Sequence, residues 1–347
     1  MKLGEQVNTG TVFVNTGTVF GALVALSLAL TAHPSALRAQ SVNARCASTS
    51  LPGIGAEDAC QKAVDIFAFM TPQLGIGLVG GNATLGAAGT LGGPGRFSIG
   101  VRGNAIRGRV PHVADVNAGV VGAQRSDYEV DDQIVGLPAV EGALGLFGGV
   151  PLGVTSTLSL DALVSATYVP ELSRSSVSIS LPDGSLKVGY GARLGLLEET
   201  LVTPAVSVTY LRRDLPTTSL SASSGNDEIS VTDISVKTSA WRGVVGKSFG
   251  FFGLAFGAGQ DQYNSRAVGS VEVNEGAITV DGGPYSLAQK VTRTNMFADF
   301  SFNFPFVKFA AEVGRVSGGS IETYNTFSGK RADDGLTYAS IGIRIGN

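Results

Sequence analysis

Few residues of this sequence are arranged as a catalytic or metal-binding group. His112 precedes Ser126 and Asp127 within one polar segment, and a serine, a histidine and an aspartate are the parts of an acyl-transfer site. However, no nucleophile elbow of the Gly-x-Ser-x-Gly type surrounds Ser126. We therefore expect no enzymatic activity, no catalytic residue and no cofactor.

Carboxylates gather in two polar segments, where calcium binding is the chemistry to consider. They are Asp127, Glu129, Asp131 and Asp132 in one segment and Asp333 and Asp334 in the other. Oxygen ligands of this kind suit Ca²⁺, but neither segment has the spacing of an EF-hand loop. We interpret both segments as solvated loops and expect no metal site.

The two cysteines, Cys46 and Cys60, are the remaining candidates for chemistry. Both follow an apolar run at residues 19–32 that has the composition of a signal-peptide core, with a candidate cleavage site after Ala39. We therefore expect residues 1–39 to be a signal peptide and the rest of the chain to be exported. An even pair of cysteines in an exported chain predicts a disulfide, and a metal or redox site is the alternative.

The composition indicates a membrane protein that crosses with strands. Of the 347 residues, 44% are hydrophobic and only 15% are charged, and the mean hydropathy is +0.23. The run at residues 19–32 is the one apolar stretch that we interpret as near membrane length. The 48 glycines are too many for a helical protein. A net charge of −3 argues against a nucleic-acid partner.

After Gly95, apolar and polar residues alternate in short runs to the last residue. In one run, Phe300 and Phe302 take one parity, and Asp299 and Ser301 take the other. A period of two is typical of strands with one apolar and one polar face. Ten strands are predicted, at about 95–108, 135–147, 155–169, 185–197, 204–213, 229–246, 251–266, 287–303, 306–319 and 335–346.

The connections between these strands are alternately long and short, as in outer-membrane barrels with short periplasmic turns and long external loops. Tyr168, Tyr210 and Tyr263 fall near the long loops. Phenylalanines cluster at the short turns, namely Phe97, Phe147, Phe249, Phe251, Phe252, Phe304 and Phe306. Two aromatic girdles are expected for a membrane barrel. We predict an all-β fold, an antiparallel up-and-down transmembrane β-barrel of about ten strands (range about 8–12) over residues 95–347, with a short N-terminal helix.

Residues 40–94 differ from the barrel and form a separate periplasmic or plug segment. Helical spacing predicts one helix over residues 56–70, ended by Thr71 and Pro72. The glycine-rich stretch from Gly75 to Gly95 predicts tight turns. The helix could plug the barrel, cap its periplasmic mouth or dock on another protein. We favour a periplasmic cap.

Parity also predicts which charged side chains face the barrel interior, where they would line a pore or form a packed polar core. These are Arg102, Glu141, Asp161, Lys187, Arg193, Arg213, Asp233, Lys237, Asp261, Arg293, Asp299, Lys308, Glu312 and Arg344. A barrel of about eight strands is just filled by its side chains, whereas about sixteen strands leave a channel. Ten strands are close to the closed end, so both alternatives stay open.

From Gly95 to Asn347, this layout resembles a bacterial outer-membrane β-barrel protein that is porin-like in the broad sense. The exported helical segment before the barrel is loosely similar in arrangement to the long-chain fatty-acid transporter family. Such barrels usually end in an aromatic residue, whereas the nearest aromatic here is Tyr338. The resemblance implies an outer-membrane location, lipid as a partner, and passive or facilitated passage of small solutes. The alternative is a closed barrel whose long loops, at 109–134 and 267–286, bind a surface partner.

Overall fold

The structure is a computed structural model that describes residues 41–47, 56–112, 119, 121–169, 172–174, 177–181, 184–224, 227–275 and 278–346. The predicted signal peptide, residues 1–39, lies outside these described residues. The helices are α1 (Ala44–Ala47) and α2 (Glu57–Val79). The strands are β1 (Phe97–Pro111), β2 (Val130–Phe147), β3 (Val150–Leu152), β4 (Thr155–Thr157), β5 (Ser159–Tyr168), β6 (Leu172–Arg174), β7 (Val177–Ser180), β8 (Leu186–Leu197), β9 (Ala205–Asp214), β10 (Thr218–Ser224), β11 (Asp227–Phe249), β12 (Phe252–Glu275), β13 (Ile278–Asn303), β14 (Val307–Ser317) and β15 (Leu336–Gly346).

Ten of these strands form one closed antiparallel barrel. Their order around the barrel is β1, β2, β5, β8, β9, β11, β12, β13, β14 and β15, and β15 pairs with β1 to close the ring. The short strands β10, β7 and β6 extend the sheet beside residues 227–234 of β11. The predicted fold class and strand number are therefore confirmed.

In the half of the barrel next to the short turns, apolar side chains point outward. On β15, Ile341, Ile343 and Ile345 are 70%, 50% and 52% exposed, whereas Arg344 between them is buried. A large row of apolar side chains is unfavourable in water but is solvated by a lipid bilayer. This half of the barrel therefore spans the membrane.

Aromatic side chains mark both edges of this apolar band. Phe251 and Phe306 are exposed at the short-turn end, and Trp241 and Tyr168 point outward at the opposite edge. Tryptophan and tyrosine sit well at a membrane interface because their largely apolar rings carry one polar group, and outer-membrane barrels have girdles of aromatic residues at both interfaces. By the rule for outer-membrane barrels, the short-turn end faces the periplasm and the long-loop end faces outward.

Beyond the band, the same strands keep their alternation but exchange the two faces. On β12, Val271 and Val273 point inward and are buried, while Glu272 between them is exposed. Tyr263, predicted for the outer girdle, also points inward, where its ring packs on Gly75 of α2. Outside the membrane the exterior is water and the interior holds a helix, so the apolar face turns inward.

The segment 267–286, which we expected to be a loop, belongs to this outer part of the barrel. It continues β12 and β13 as a paired hairpin, in which Val273 lies opposite Val280. The prediction of a loop was wrong. The outward side chains of this segment are polar and resemble those of a loop, but its inward side chains are apolar, as in a strand.

Helix α2 lies inside the barrel rather than across its short-turn end, where we expected it. Phe67 and Leu78 of the helix belong to one buried apolar cluster with Val236 and Leu287 of the wall. The helix is apolar enough to cross a membrane on its own, with a mean hydropathy of 1.2, but 78% of that stretch is buried within the protein.

The predicted disulfide is present and joins α1 to α2 at the long-loop end. The sulfur atoms of Cys46 and Cys60 are 2.10 Å apart, and both cysteines are buried in a cluster with Val271. Arg45 Nη1 donates a hydrogen bond of 2.9 Å to Ser286 O of β13. The N-terminal end of the described chain therefore lies against the outer part of the wall.

The helix continues through Pro72, where the sequence predicted its end. A proline has no N–H and would leave the carbonyl of Ala68 without its helical partner. Here Gln289 Nε2 of β13 donates to Ala68 O at 3.2 Å, and Thr71 Oγ1 donates to Gln289 Oε1 at 2.8 Å. The wall supplies the missing hydrogen bond, so the helix extends to Val79.

Candidate functional site

The interior of the membrane-spanning half is occupied by residues 80–94, which we call the interior segment. It leaves α2 at Gly80 and reaches the short-turn end just before Phe97, where β1 begins. None of its residues carries a charge. The charged side chains of the wall therefore meet backbone groups and small polar side chains of this segment.

Wall cations bind the carbonyl end of α2. Arg213 Nη1 donates to Val79 O at 2.9 Å and to Leu78 O at 3.3 Å. Arg242 Nε donates to Gly81 O at 3.1 Å and its Nη2 donates to Gly80 O at 3.2 Å. The last carbonyls of a helix lack internal partners and carry the negative end of its dipole. Buried guanidinium groups satisfy both requirements.

Arg102 and Glu312 fix the next turn of the chain. Arg102 Nη1 donates to Asn82 O at 2.5 Å, and Glu312 accepts the backbone N–H groups of Gly81 at 3.1 Å and Asn82 at 2.6 Å. A side chain at Gly81 would place its Cβ 2.6 Å from Glu312 Oε2. Glycine is therefore required for the backbone to approach this carboxylate.

The lower part of the interior segment is bound at the short-turn end. Lys308 Nζ donates to Gly86 O at 3.2 Å, and Ser207 Oγ donates to Ala88 O at 2.5 Å. Thr90 Oγ1 donates to Ser159 Oγ at 2.7 Å. Contacts therefore run from Gly80 to Leu91 of the segment, which occupies the interior of the barrel.

The buried charges also pair with one another across the wall. Arg102 Nη2 lies 2.6 Å from Glu312, and Glu141 lies 3.2 Å from Arg102 Nη1 and 2.7 Å from Arg213 Nη2. A separate pair joins Arg193 Nη2 to Asp161 at 2.7 Å. Arg242 pairs with Asp261. Because these pairs are formed by wall residues alone, they do not need the interior segment to neutralise them.

The structure places most of the predicted interior residues inside the barrel. Those that are buried there are Arg102, Glu141, Asp161, Arg193, Arg213, Asp261, Arg293, Asp299, Glu312 and Arg344. Lys187 and Lys308 lie on the same inward faces and are half-buried.

Two predicted interior residues, Asp233 and Lys237, are exposed instead. Both lie on the outer part of β11, where polar side chains point outward. Arg242, which the sequence reasoning missed, is 1% exposed. Side chains alternate between the two faces of a strand, so residues 237 and 242 point to opposite faces. The prediction that Lys237 points inward therefore implied, wrongly, that Arg242 points outward. The valines of β11 do not reveal the parity from sequence, because Val244 is buried whereas its neighbour Val245 is 43% exposed.

At the long-loop end, carboxylates of α2 bind external loops over the helix. Asp58 accepts the backbone N–H groups of Gly119 and Gln124, each at 2.8 Å. Asp65 accepts the backbone N–H of Asn325 at 2.8 Å and its Nδ2 at 2.7 Å. The loops that carry these groups are therefore fixed to the helix.

The acidic loop residues that suggested calcium have other partners. Asp131 contacts His112 Nε2 at 2.7 Å, and Asp132 contacts Arg107 at 2.9 Å. Asp127 accepts hydrogen bonds from the Thr326 hydroxyl and a backbone N–H, which lowers the pKa of its carboxyl. Within the described ranges, no group of three histidine, cysteine, aspartate or glutamate residues is placed to hold a metal ion.

A concavity of about 870 Å³ lies on the outer wall between β13 and β1. Its lining includes the outward side chains of Phe300, Phe309, Ile341 and Ile343. Because these residues belong to the apolar band, the concavity faces lipid and is not an entrance to the interior.

No protein-family model and no curated protein matches the chain. Among solved structures, the translocator domain of the autotransporter NalP from Neisseria meningitidis is 10% identical, with a TM-score of 0.39 over 73% of this chain and 88% of that chain. The CymD monoaromatic hydrocarbon channel is 15% identical, with a TM-score of 0.26 over 86% of this chain and 99% of that chain. OmpT of Vibrio cholerae, expressed in the outer membrane, is 10% identical, with a TM-score of 0.16 over 72% of this chain and 97% of that chain.

The closed barrel, its outward apolar band and its two aromatic edges together fix the class of the protein. A barrel without free edges satisfies every strand hydrogen bond within the hydrocarbon layer. The alternation of short turns and long loops sets its orientation. The chain is a bacterial outer-membrane β-barrel protein.

Proposed function

We propose that this protein is a barrel closed at rest, whose long-loop end binds a surface partner. The observation that supports this function is the interior segment, which occupies the barrel and is bound to its wall from Gly80 to Leu91. The long-loop end presents the hairpin of β12 and β13 and the loops bound to Asp58 and Asp65. We assign no enzymatic activity to the protein. Within the membrane, lipid is the one partner that we assign.

The energy of the interior contacts favours the closed state. A hydrogen bond from a buried charged group contributes about 1.5–3 kcal/mol. The bonds of Arg102 and Arg242 to carbonyls of the interior segment, and those of Arg213 to the last carbonyls of α2, therefore stabilise the occupied barrel.

Passage of small solutes through a barrel that opens is the second candidate function. It is favoured by the ion pairs of the wall, such as Arg193 with Asp161 and Arg213 with Glu141, which would stay paired if the uncharged interior segment moved out. Such an opening would leave a polar lumen with both signs of charge.

Conductance in planar bilayers separates the two functions. The variant carrying both Thr90→Cys and Ser159→Cys would lock the interior segment to β5, because the native Oγ atoms are only 2.7 Å apart. A closed barrel passes no current in the wild type or in the double variant, oxidised or reduced. A barrel that opens passes current in the wild type and in the reduced variant, and oxidation stops it. Current through the oxidised variant would contradict both. The single variant Thr90→Cys controls for effects of the reductant.

The outward orientation is tested on intact cells with a thiol reagent that cannot cross the outer membrane. Ser41→Cys lies at the long-loop end, and Val202→Cys lies in a short turn where the native valine is 78% exposed. We expect labelling of Ser41→Cys on intact cells and of Val202→Cys only after permeabilisation. The reverse pattern would contradict an outward-facing binding surface.

A further inference from the structure

A cavity of about 250 Å³ lies at the short-turn end, between the interior segment and strands β8, β14 and β15. Its lining includes the cations Arg193, Lys308 and Arg344, and it contains no acidic side chain. We propose that this cavity binds a phosphate group. The proposal does not depend on whether the barrel opens.

The charges of the lining residues are incompletely matched. Arg344 is 7% exposed and donates only to Leu85 O and Ser98 Oγ among the described residues, while Lys308 donates to Gly86 O. Within the described ranges, neither cation has a carboxylate oxygen within 4.0 Å. Burying a cation without an opposite charge is unfavourable, so an anion in the cavity would be stabilised.

Arg193 also lines the cavity and has one unused donor. Its Nε and Nη2 donate to Asp161 at 3.1 and 2.7 Å, but its Nη1 is buried and has no hydrogen-bond partner among the described residues. The side chain is 1% exposed. A guanidinium group with a free Nη1 is a good donor for an oxyanion, because its N–H groups are rigidly oriented.

The size and the donors of the cavity suit a phosphate group. Its volume equals that of about eight water molecules. A phosphate offers several acceptor oxygens, which suits donors that approach from three different strands. The rim carries Phe304 and Phe306, both exposed at the membrane interface. The phosphate could therefore belong to a phospholipid headgroup of the inner leaflet or be free in the periplasm, and both sources offer the same chemistry to the cavity.

The test begins with the full chain refolded in a non-ionic detergent without phospholipid. We expect inorganic phosphate to raise its unfolding temperature relative to chloride at the same ionic strength. Lys308→Gln should weaken phosphate binding by about tenfold, the effect of losing one charged hydrogen bond. Lys247→Gln is the matched control, because Lys247 lies at the same end but outside the cavity and donates to Thr203 O. Equal weakening by both variants would overturn the proposal.

A second variant gives an opposite expectation. Ala87→Asp would place a carboxylate in the lining, so the barrel should be more stable than the wild type and lose its response to phosphate. A less stable barrel that still responds to phosphate would overturn the proposal.

Native mass spectrometry of the chain extracted from membranes distinguishes the two sources. A phospholipid retained by the wild type and lost from Lys308→Gln identifies a headgroup, whereas binding of inorganic phosphate without retained lipid identifies the free anion. If neither binds, the cavity is not a phosphate site.

Discussion

Replacing Glu141 by glutamine would test whether the buried charge network stabilises this barrel. Glu141 accepts hydrogen bonds from Arg102 and Arg213, which are 1% and 2% exposed. Arg102 would keep Glu312 as a partner, whereas Arg213 would lose its one ion-pair partner within the described ranges. Removing one partner of a buried pair costs about 3–5 kcal/mol. We expect a loss of about 3 kcal/mol, at the lower end because one arginine stays paired.

The assay is urea unfolding in detergent micelles, followed by the fluorescence of Trp241, the single tryptophan of the chain. With a slope of about 3 kcal/mol per molar urea, the midpoint for Glu141→Gln should fall by about 1 M. Asp132→Asn is the matched control on the same strand, because Asp132 pairs with Arg107 at 2.9 Å but the two side chains are 37% and 75% exposed. An exposed pair contributes at most about 1 kcal/mol, so its midpoint should fall by about 0.3 M or less. Equal shifts for the two variants would refute the reasoning.

Three further changes test the fit between the interior and the wall. Gln289→Ala should destabilise the protein by about 1–3 kcal/mol, because the Ala68 carbonyl of the helix loses its donor. Adding Pro72→Ala should recover part of this loss, since the new backbone N–H can donate to the same carbonyl. The urea midpoints of the two single variants and of the double variant check this expectation. Gly86→Ala should cost about 1–3 kcal/mol, because its φ is +72° and the new Cβ would lie 2.6 Å from the wall; an unchanged midpoint would contradict this packing. Replacing both Cys46 and Cys60 by serine should cost about 3 kcal/mol for a loop with a sequence separation of 14, and reductant should then have no further effect on the midpoint.

The membrane-spanning strands were predictable because lipid imposes one rule on all of them. Wherever lipid lies outside, outward residues must be apolar, so the alternation of Ile341, Ile343 and Ile345 with Arg344 shows both the strand and its inward face. Ten of the predicted buried charges follow from this rule.

The outer part of the barrel was predicted less well because two environments change there at once. Water replaces lipid outside, and α2 replaces polar groups inside. In this outer part, a charged residue such as Lys237 lies on the outward face, whereas a charged residue in the membrane-spanning part of the same strand lies on the inward face. The parity taken from Lys237 therefore assigns Arg242 to the outward face, and Arg242 is missed.

The path of the N-terminal segment could not be predicted from local sequence. Pro72 is a sound signal for the end of a helix, but it is overridden by Gln289, which is 221 residues away from the Ala68 carbonyl that it satisfies. The glycine-rich stretch from Gly75 to Gly95 forms turns only beyond Val79, because Gly75 and Gly77 belong to α2. Its position inside the barrel depends on contacts with distant strands, which no local pattern contains.

Because α2 and the interior segment together run from the long-loop end to the start of β1, they add one crossing of the membrane to those of the ten strands. An even number of crossings returns a chain to the side where it began, whereas an odd number separates its two ends. Residues 41–47 and the end of β15 therefore lie on opposite faces of the outer membrane. A domain fused ahead of residue 41 would be displayed to the medium, and one fused after β15 would stay in the periplasm.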